Sequence, residues 1–304
     1  MITDLPDTNA GKIAAALVAA RHTAGVPAVG MVLTFVIVAD ESTHYDAQRA
    51  ALEAAREHPC RILVAILRGG MGAPRLDAEV RFLGDSGPGE TVVMRMHGEL
   101  AGHAESVVLP LLLPDAPVVV WWPGDAPPVP SRDPIGRLAR RRVTDAAACG
   151  DPAAELEQRQ GGYEPGDTDL SWTRVTAWRT LLAALFDQPT AAVSDGSVEC
   201  SPGSPSAEML ARWLQERLGV PIARVESAGP GITGVRFTTA DGPLTVLRPD
   251  GRVATITRPG QPDRQAALRA RETAEIIAEE MRRLDPDEVY GEVLLSTRAT
   301  GSPA

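Results

Sequence analysis

The sequence predicts an α/β (α+β) protein of two domains. The first, over 1–150, is a mixed sheet with packed helices; the second, over 151–304, is an α+β domain with a β-meander. Two observations carry this. Apolar runs without alternation, VGMVLTFVIV over 29–38, RILVAIL over 61–67 and Val118-Val119-Val120, suit strands covered on both faces, and helical segments stand between them. From Ala191 the pattern restarts with short strand-like runs. The turn signals Asp241-Gly242-Pro243 and Pro249-Asp250-Gly251 punctuate the later ones.

The elements follow in order. Asn9 to Arg21 has Ile13, Leu17 and Ala20 on one stripe and reads as an amphipathic helix. Thr43 to Glu57 is alanine-rich and helical. Leu76 to Leu83 and Thr91 to His97 alternate and flank a glycine-proline turn, which predicts a hairpin. A helix over Glu99 to Leu109 leads into LPLLLPDAPVVVWWPGD, where Pro123-Gly124 ends the strand. Successive strand residues point to opposite faces, so Trp121 and Trp122 cannot both serve one layer. Asp151 to Asp169 is acidic and reads as a boundary or lid; Asp169 to Phe186 reads as one long helix. In the second half, strands are expected at 191–198, 222–227, 232–239, 244–248 and 253–257, with a helix carrying Met209, Leu210, Trp213, Leu214 and Leu218 after the first. A charged helix is expected over Asp263 to Leu284, and Asp285-Pro286-Asp287 caps a last one from Glu288.

Composition bounds the function. The net charge of −10 repels a phosphate backbone, which excludes bulk nucleic-acid binding. No apolar run reaches 18 residues and no leader is visible, so a cytoplasmic protein without a membrane segment is expected. Lys12 is the only lysine, and arginine supplies 29 of the 30 basic residues. That bias, with the abundance of alanine, suits GC-rich coding and lowers the weight of any single arginine. Cys60, Cys149 and Cys200 are widely spaced and form no CxxC pair, so reduced thiols are expected.

Catalytic motifs are weak. Gly84-Asp85-Ser86-Gly87 matches the string around a serine-protease nucleophile, but the partners such a triad needs are absent. His97, Glu99, His103 and Glu105 crowd nine residues, with Glu99 and His103 at helical i,i+4 spacing that could hold a metal; the pattern is not HExxH, and a solvated helix face is the plainer reading. Gly69-Gly70-Met71-Gly72 follows a strand without GxGxxG spacing, and Pro74 opposes a helix there. The densest basic cluster is Arg137, Arg140, Arg141 and Arg142. On a helix, Arg137 and Arg141 would share a face and could grip a phosphate or carboxylate, while pairing with the chain's many acids is the plainer use. No catalytic, metal-binding or cofactor-binding set emerges, and no cofactor is expected.

Several segments together carry a resemblance. LLLPDAPVVVWWPGD, DPIGRLARRRVTDAA, DTDLSWTRVTAWRTLLAALFD and RRLDPDEVYGEVL resemble, in order, the glucose-6-phosphate dehydrogenase assembly protein OpcA family, in an alanine- and arginine-rich actinobacterial style. The VLTFVIVAD and CRILVAIL strands fit its N-terminal part. The resemblance implies a non-enzymatic partner of glucose-6-phosphate dehydrogenase, acting as assembly factor or allosteric activator in the oxidative pentose phosphate pathway and raising NADPH supply. It transfers no catalytic residues.

Tryptophan and arginine are the usual interface anchors. The candidate partner surface is therefore Trp121, Trp122, Arg140, Arg141, Arg142, Trp172, Arg174 and Trp178. The WWPGD loop and the Trp172 helix are expected to form one contiguous region, with at least one of the four rings left exposed. The alternative from a different class is a sugar-phosphate-binding protein or enzyme of the same pathway that uses the Arg137–Arg142 cluster as its grip. A third is a tether that only holds pathway enzymes together.

Overall fold

The computed structural model describes residues 1–24, 30–82, 89–188 and 190–296. The turn containing Gly84-Asp85-Ser86-Gly87 lies outside them. The chain forms two compact units, both discontinuous in sequence. One comprises 1–148, 162–168 and 273–286, and the other 149–161, 169–272 and 287–304. A single cut at 150/151 therefore differs from the observed division by two returns of the chain to the first unit. No helix among the described residues is long and apolar enough to cross a membrane.

The first unit is built on an eight-stranded sheet in the order β1-β4-β5-β3-β2-β6-β7-β8. Its centre is parallel: β2 (Leu33–Ala39) lies between β3 (Cys60–Arg68) and β6 (Val118–Trp121), with β5 (Gly89–His97) beyond β3 and β7 (Arg141–Thr144) beyond β6. The expected hairpin is present, with β4 (Arg75–Phe82) antiparallel to β5, and β1 (Ile2–Leu5) extends that edge. β8 (Asp167–Asp169) closes the other edge.

One face packs Val36, Leu63, Met94 and Val120 against Ile13 and Leu17 of α1 (Ala10–Ala24) and Val107 and Val108 of α3 (Ala104–Val108). Alternation sends Phe35, Ile37, Ile62 and Val64 to the other face, where α2 (His44–Ala54) packs against α8 (Thr273–Arg282). Coverage on both sides explains why these strands read as unbroken apolar runs. At the N-terminal end of the parallel strands, Glu90 is fully buried and receives Arg61 at 2.8 Å and Arg21.

The second unit holds a six-stranded sheet, β10-β9-β11-β12-β13-β14. Its strands are β9 (Val193–Cys200), β10 (Ile222–Glu226), β11 (Ile232–Thr239), β12 (Gly242–Leu247), β13 (Val253–Thr257) and β14 (Arg264–Ala267). β9 and β10 are parallel, joined through α7 (Pro205–Leu218), and β11 to β14 form the expected meander. α7 starts where the Ser204 hydroxyl accepts the Ala207 N–H at 3.3 Å and Pro205 takes the first turn; it stops at Gly219, φ +65°.

Four expectations change. Asp263 to Leu284 is not one helix: 264–267 pairs with β13 as β14, and the helix begins at Thr273. An alanine-rich run has good helix propensity, but an open strand edge outweighs propensity. Asp169 to Phe186 splits into α5 (Leu170–Thr173) and α6 (Thr176–Phe186), because buried Val175 leaves helical geometry at φ −94°, ψ 6°. Glu99 to Leu109 is a 3₁₀ stretch, Gly98–His103, before the short α3. Asp151 to Asp169 holds unit boundaries at 161/162 and 168/169, as the boundary reading expects, but forms α4 (Pro152–Gly162) and strand β8 rather than a lid.

Candidate functional site

In an open α/β sheet, ligands collect at the carboxyl ends of strands where the connections diverge. Here that point lies between β2 and β6, because β2 continues through α2 to β3 on one side while β6 stands on the other. The loop after β2 is pinned by Asp40, whose Oδ1 accepts the N–H and hydroxyl of Ser42 at 2.8 and 2.7 Å and those of Thr43 at 2.9 Å each. The Ser42 hydroxyl first, with the Thr43 bonds, holds the Asp40 carboxyl down at about 2 against some desolvation. The loop after β6 comes close: a Cβ on Gly124 would sit 3.3 Å from the Thr43 methyl.

Beside this crevice is a pocket of about 200 Å³ lined by Val38, Trp122 and Ile135 with the carboxylates Glu105, Asp125 and Asp133. Asp133 Oδ1 accepts the N–H groups of Ile135 and Gly136 at 2.9 and 3.0 Å. Its lining carries three acids and no base, so it repels a phosphate. Gly136 is needed for closeness: an added Cβ would stand 1.9 Å from the Pro130 carbonyl oxygen and 3.3 Å from the Trp122 ring.

The two tryptophans of WWPGD divide as strand geometry requires. Trp121 stacks on Phe35, centroids 6.2 Å apart and planes within 10°, while Trp122 joins the opposite core. Both are buried, at 2% and 3% exposure. Among the described residues Trp121 Nε1 has no hydrogen-bond partner.

The arginine cluster is not on a helix. Gly136–Leu138 is a 3₁₀ turn, and Arg141 and Arg142 lie in β7, so they point to opposite sides of the sheet. Arg141, aligned with Val119, is fully buried. It meets Glu280 of α8 at 2.6–2.7 Å and donates to the Asp285 carbonyl at 2.9 Å. Arg142, aligned with Val120, pairs with buried Asp167 and donates to the Pro165 carbonyl at 2.7 Å. Gly166, at φ +98°, lets its backbone pass: a Cβ there would stand 2.7 Å from the Arg140 carbonyl oxygen. Arg140 reaches the surface beside exposed Asp285, and Arg137 is exposed as well.

Trp172 and Trp178 lie in the other unit and are buried, at 1% and 2% exposure. Trp172 Nε1 donates to Asp287 Oδ2 at 2.9 Å, its ring packs beside Tyr290, and the Arg179 guanidinium sits 3.6 Å from its centroid. Asp287 also caps α9 (Glu288–Leu295), accepting the Tyr290 N–H at 3.0 Å. Trp178 packs under Arg248, 5.1 Å from the ring centroid. Arg248 is buried and donates to the Leu268 and Ile232 carbonyls, and burial lowers its pKa.

The expected tryptophan anchors therefore fail. None of the four rings is exposed, and the two pairs fall in different compact units. Arg141 and Arg142 are likewise ion-paired core residues, Arg174 is half-buried, and Arg140 alone keeps the exposure an anchor needs. The sequence reading missed Asp167, Glu280, Asp285 and Asp287, which receive these side chains. Three of them stand in conspicuous segments, Asp167 in GDTDL and Asp285 and Asp287 in LDPDEVY, while Glu280 lies outside these and carried no such signal.

The remaining candidates do not assemble. His97 lies 3.2 Å from Asp77 rather than beside Glu99 and His103, and no group of three metal-ligating side chains gathers among the described residues. The Gly69–Gly72 loop leads into β4, not a helix, and Met71 at its tip is fully exposed. Among the described residues no disulfide joins the three cysteines; burial pushes Cys60 up to about 12 and raises Cys200.

Residues 51–161 match the glucose-6-phosphate dehydrogenase subunit N-terminal domain of the OpcA family, and residues 165–294 match its C-terminal domain. The OxPP cycle protein OpcA of Synechococcus elongatus is 34% identical over 146 residues, 43% of this chain and 32% of that protein. The chain thus spans about a third of the length of the curated relative it matches. Among solved structures, KijD10, a 3-ketoreductase from Actinomadura kijaniata, is 11% identical over 86% of this chain and 93% of its own, with a TM-score of 0.45. A Gfo/Idh/MocA family oxidoreductase from Vibrio cholerae is 10% identical over 86% and 94%, with a TM-score of 0.37. At that level of likeness neither fold nor chemistry transfers. With one family's two domains laid consecutively over 51–161 and 165–294, this chain belongs to the OpcA family of glucose-6-phosphate dehydrogenase subunits.

Proposed function

We propose that this chain is a non-catalytic partner of glucose-6-phosphate dehydrogenase that promotes the enzyme's active state, in the cytoplasm, at the entry to the oxidative pentose phosphate pathway. Family membership carries the reading: both matched domains are described as parts of a dehydrogenase subunit. The physical mechanism is linkage. A partner that binds the active dehydrogenase more tightly than the inactive one shifts the population toward it, and a coupling of ~1–3 kcal/mol is worth roughly 5- to 150-fold. Such a partner needs a stable surface more than reactive groups, and the buried ion pairs and stacked tryptophans supply rigidity rather than chemistry.

The sugar-phosphate reading loses its main support. Its grip, Arg137 to Arg142, does not converge: Arg141 and Arg142 are committed to Glu280 and Asp167 on opposite sides of the sheet, and the neighbouring pocket is lined by carboxylates. Gel filtration of the chain mixed with its cognate dehydrogenase tests the proposal. Co-elution, with no heat of binding between glucose 6-phosphate and the chain alone, is expected. Separate elution at micromolar concentrations would remove the proposal. Co-elution without any change in the enzyme's oligomeric state or rate would leave a tether instead.

A further inference from the structure

The six-stranded sheet has one covered side. Val198, Val235, Phe237, Val246 and Ala254 face inward and are buried. Registers Arg236↔Ser197, Arg236↔Thr245 and Thr245↔Thr257 place the alternate residues on the other side. There the strands are mostly exposed or half-buried: Val225 and Val253 keep 42% and 41% of their surface, Arg236 and Thr238 are exposed, and Leu247 and Thr257 are half-buried. On the same side Thr245 is buried, at 5%.

The charge on this side is unusual for the chain. The molecule carries a net −10 and 23% charged residues, yet across six strands only Asp195, Glu199 and Arg236 put charge here. Those are satisfied locally. Arg236 pairs with Glu199, and Asp195 accepts the Thr238 hydroxyl at 2.9 Å. The rest is Thr, Val, Ala, Ser, Gly, Pro, Leu and Gln. Depletion of charge is one mark of an interface core; the threonines and valines are the ordinary strand formers that supply the rest.

We infer that this open face is where a second copy of the chain docks, sheet against sheet about a twofold axis. Two arguments favour a copy. Acidic molecules repel one another, and this face lets two of them meet with little like charge opposed. The area also fits. Six strands at ~4.8 Å spacing span about 24 Å, and the eight residues of β11 run about 27 Å, giving on the order of 600 Å² of flat surface. That is the scale of the ~800 Å² each partner contributes to a stable interface. Twisted sheets pack face to face at about −30°, and identical faces satisfy an isologous contact.

The inference is independent of dehydrogenase binding. Sedimentation equilibrium of the full chain tests it, with the variants Val253→Glu and Val225→Glu, singly and together, checked for unchanged circular dichroism. The parent is expected to be a dimer that persists at high salt, since few charges hold it. Each folded variant should weaken dimerisation about tenfold or more by burying an unpaired carboxylate in the contact. The single variants keep the test open if the double one misfolds. A parent that stays monomeric at ~100 µM overturns the inference. So does a dimer that neither folded variant shifts, or a monomeric parent whose variants lose dehydrogenase binding, which would assign the face to the enzyme.

Discussion

The two sheets use their faces differently. The eight-stranded sheet is covered on both sides around its parallel centre; the six-stranded sheet is covered on one and open on the other. In the first, buried tryptophan and paired arginine are packing material. In the second, the free face is made of threonine, valine and small residues. Residue types that commonly anchor interfaces are here consumed inside the molecule, and the available surface is the plainest part of the sequence. Anchor statistics describe residues already known to be at an interface; they do not place a residue there.

Substitutions sharpen that contrast, in falling order of effect. Arg141→Ala leaves Glu280 buried without its cation, and a loss of ~3–5 kcal/mol is expected in urea unfolding. A loss below 1 kcal/mol would mean that the pair is solvated and Arg141 available after all. Trp172→Phe and Trp121→Phe each leave a cavity in a buried site, but Trp172→Phe also removes the donor to Asp287, whereas the Trp121 N–H has no hydrogen-bond partner among the described residues; Trp172→Phe should cost ~1–3 kcal/mol more. Equal losses in the two would break the distinction between a hydrogen-bonded and a purely packed ring. Arg140→Ala, at an exposed pair, should shift stability by no more than ~1 kcal/mol and less at high salt.

Thiol chemistry gives a further reading of the first core. Cys60 is fully buried and its pKa is raised, so its thiolate is scarce across neutral pH; half-buried Cys149 should label with a thiol reagent well ahead of it. Because the folded pKa lies above the ordinary thiol value, ionising Cys60 opposes folding, and the penalty appears only as pH rises past the unfolded value. Fast labelling of Cys60 at pH 7 in folded protein would show that this core opens readily.

Much of the fold was legible in the sequence because its signals are local. The apolar runs at 33–39 and 60–68, the hairpin pattern and the turn dipeptides of the meander report directly on neighbours along the chain. The misses are the places where a distant partner decides. Arg264–Ala267 becomes a strand because β13 offers an edge, and Arg141 points inward because Glu280, 139 residues away, receives it. The candidate surface failed for the same reason. Trp172 and Trp121 look alike as residues, and only the coordinates of Asp287 and Phe35 reveal that both are enclosed. Family motifs marked the right segments, but what those segments share is internal pairing.

The central claim is that this chain raises the activity of glucose-6-phosphate dehydrogenase without catalysing anything itself. The direct measurement is the initial rate of NADP reduction by the purified cognate dehydrogenase, titrated with the purified chain over a range of glucose 6-phosphate concentrations. The expected result is a rise that saturates with added chain, falls in the roughly 5- to 150-fold range of ordinary coupling energies, and is absent when the chain is assayed alone. A rate that stays flat at every substrate concentration, or turnover by the chain without the enzyme, would contradict it.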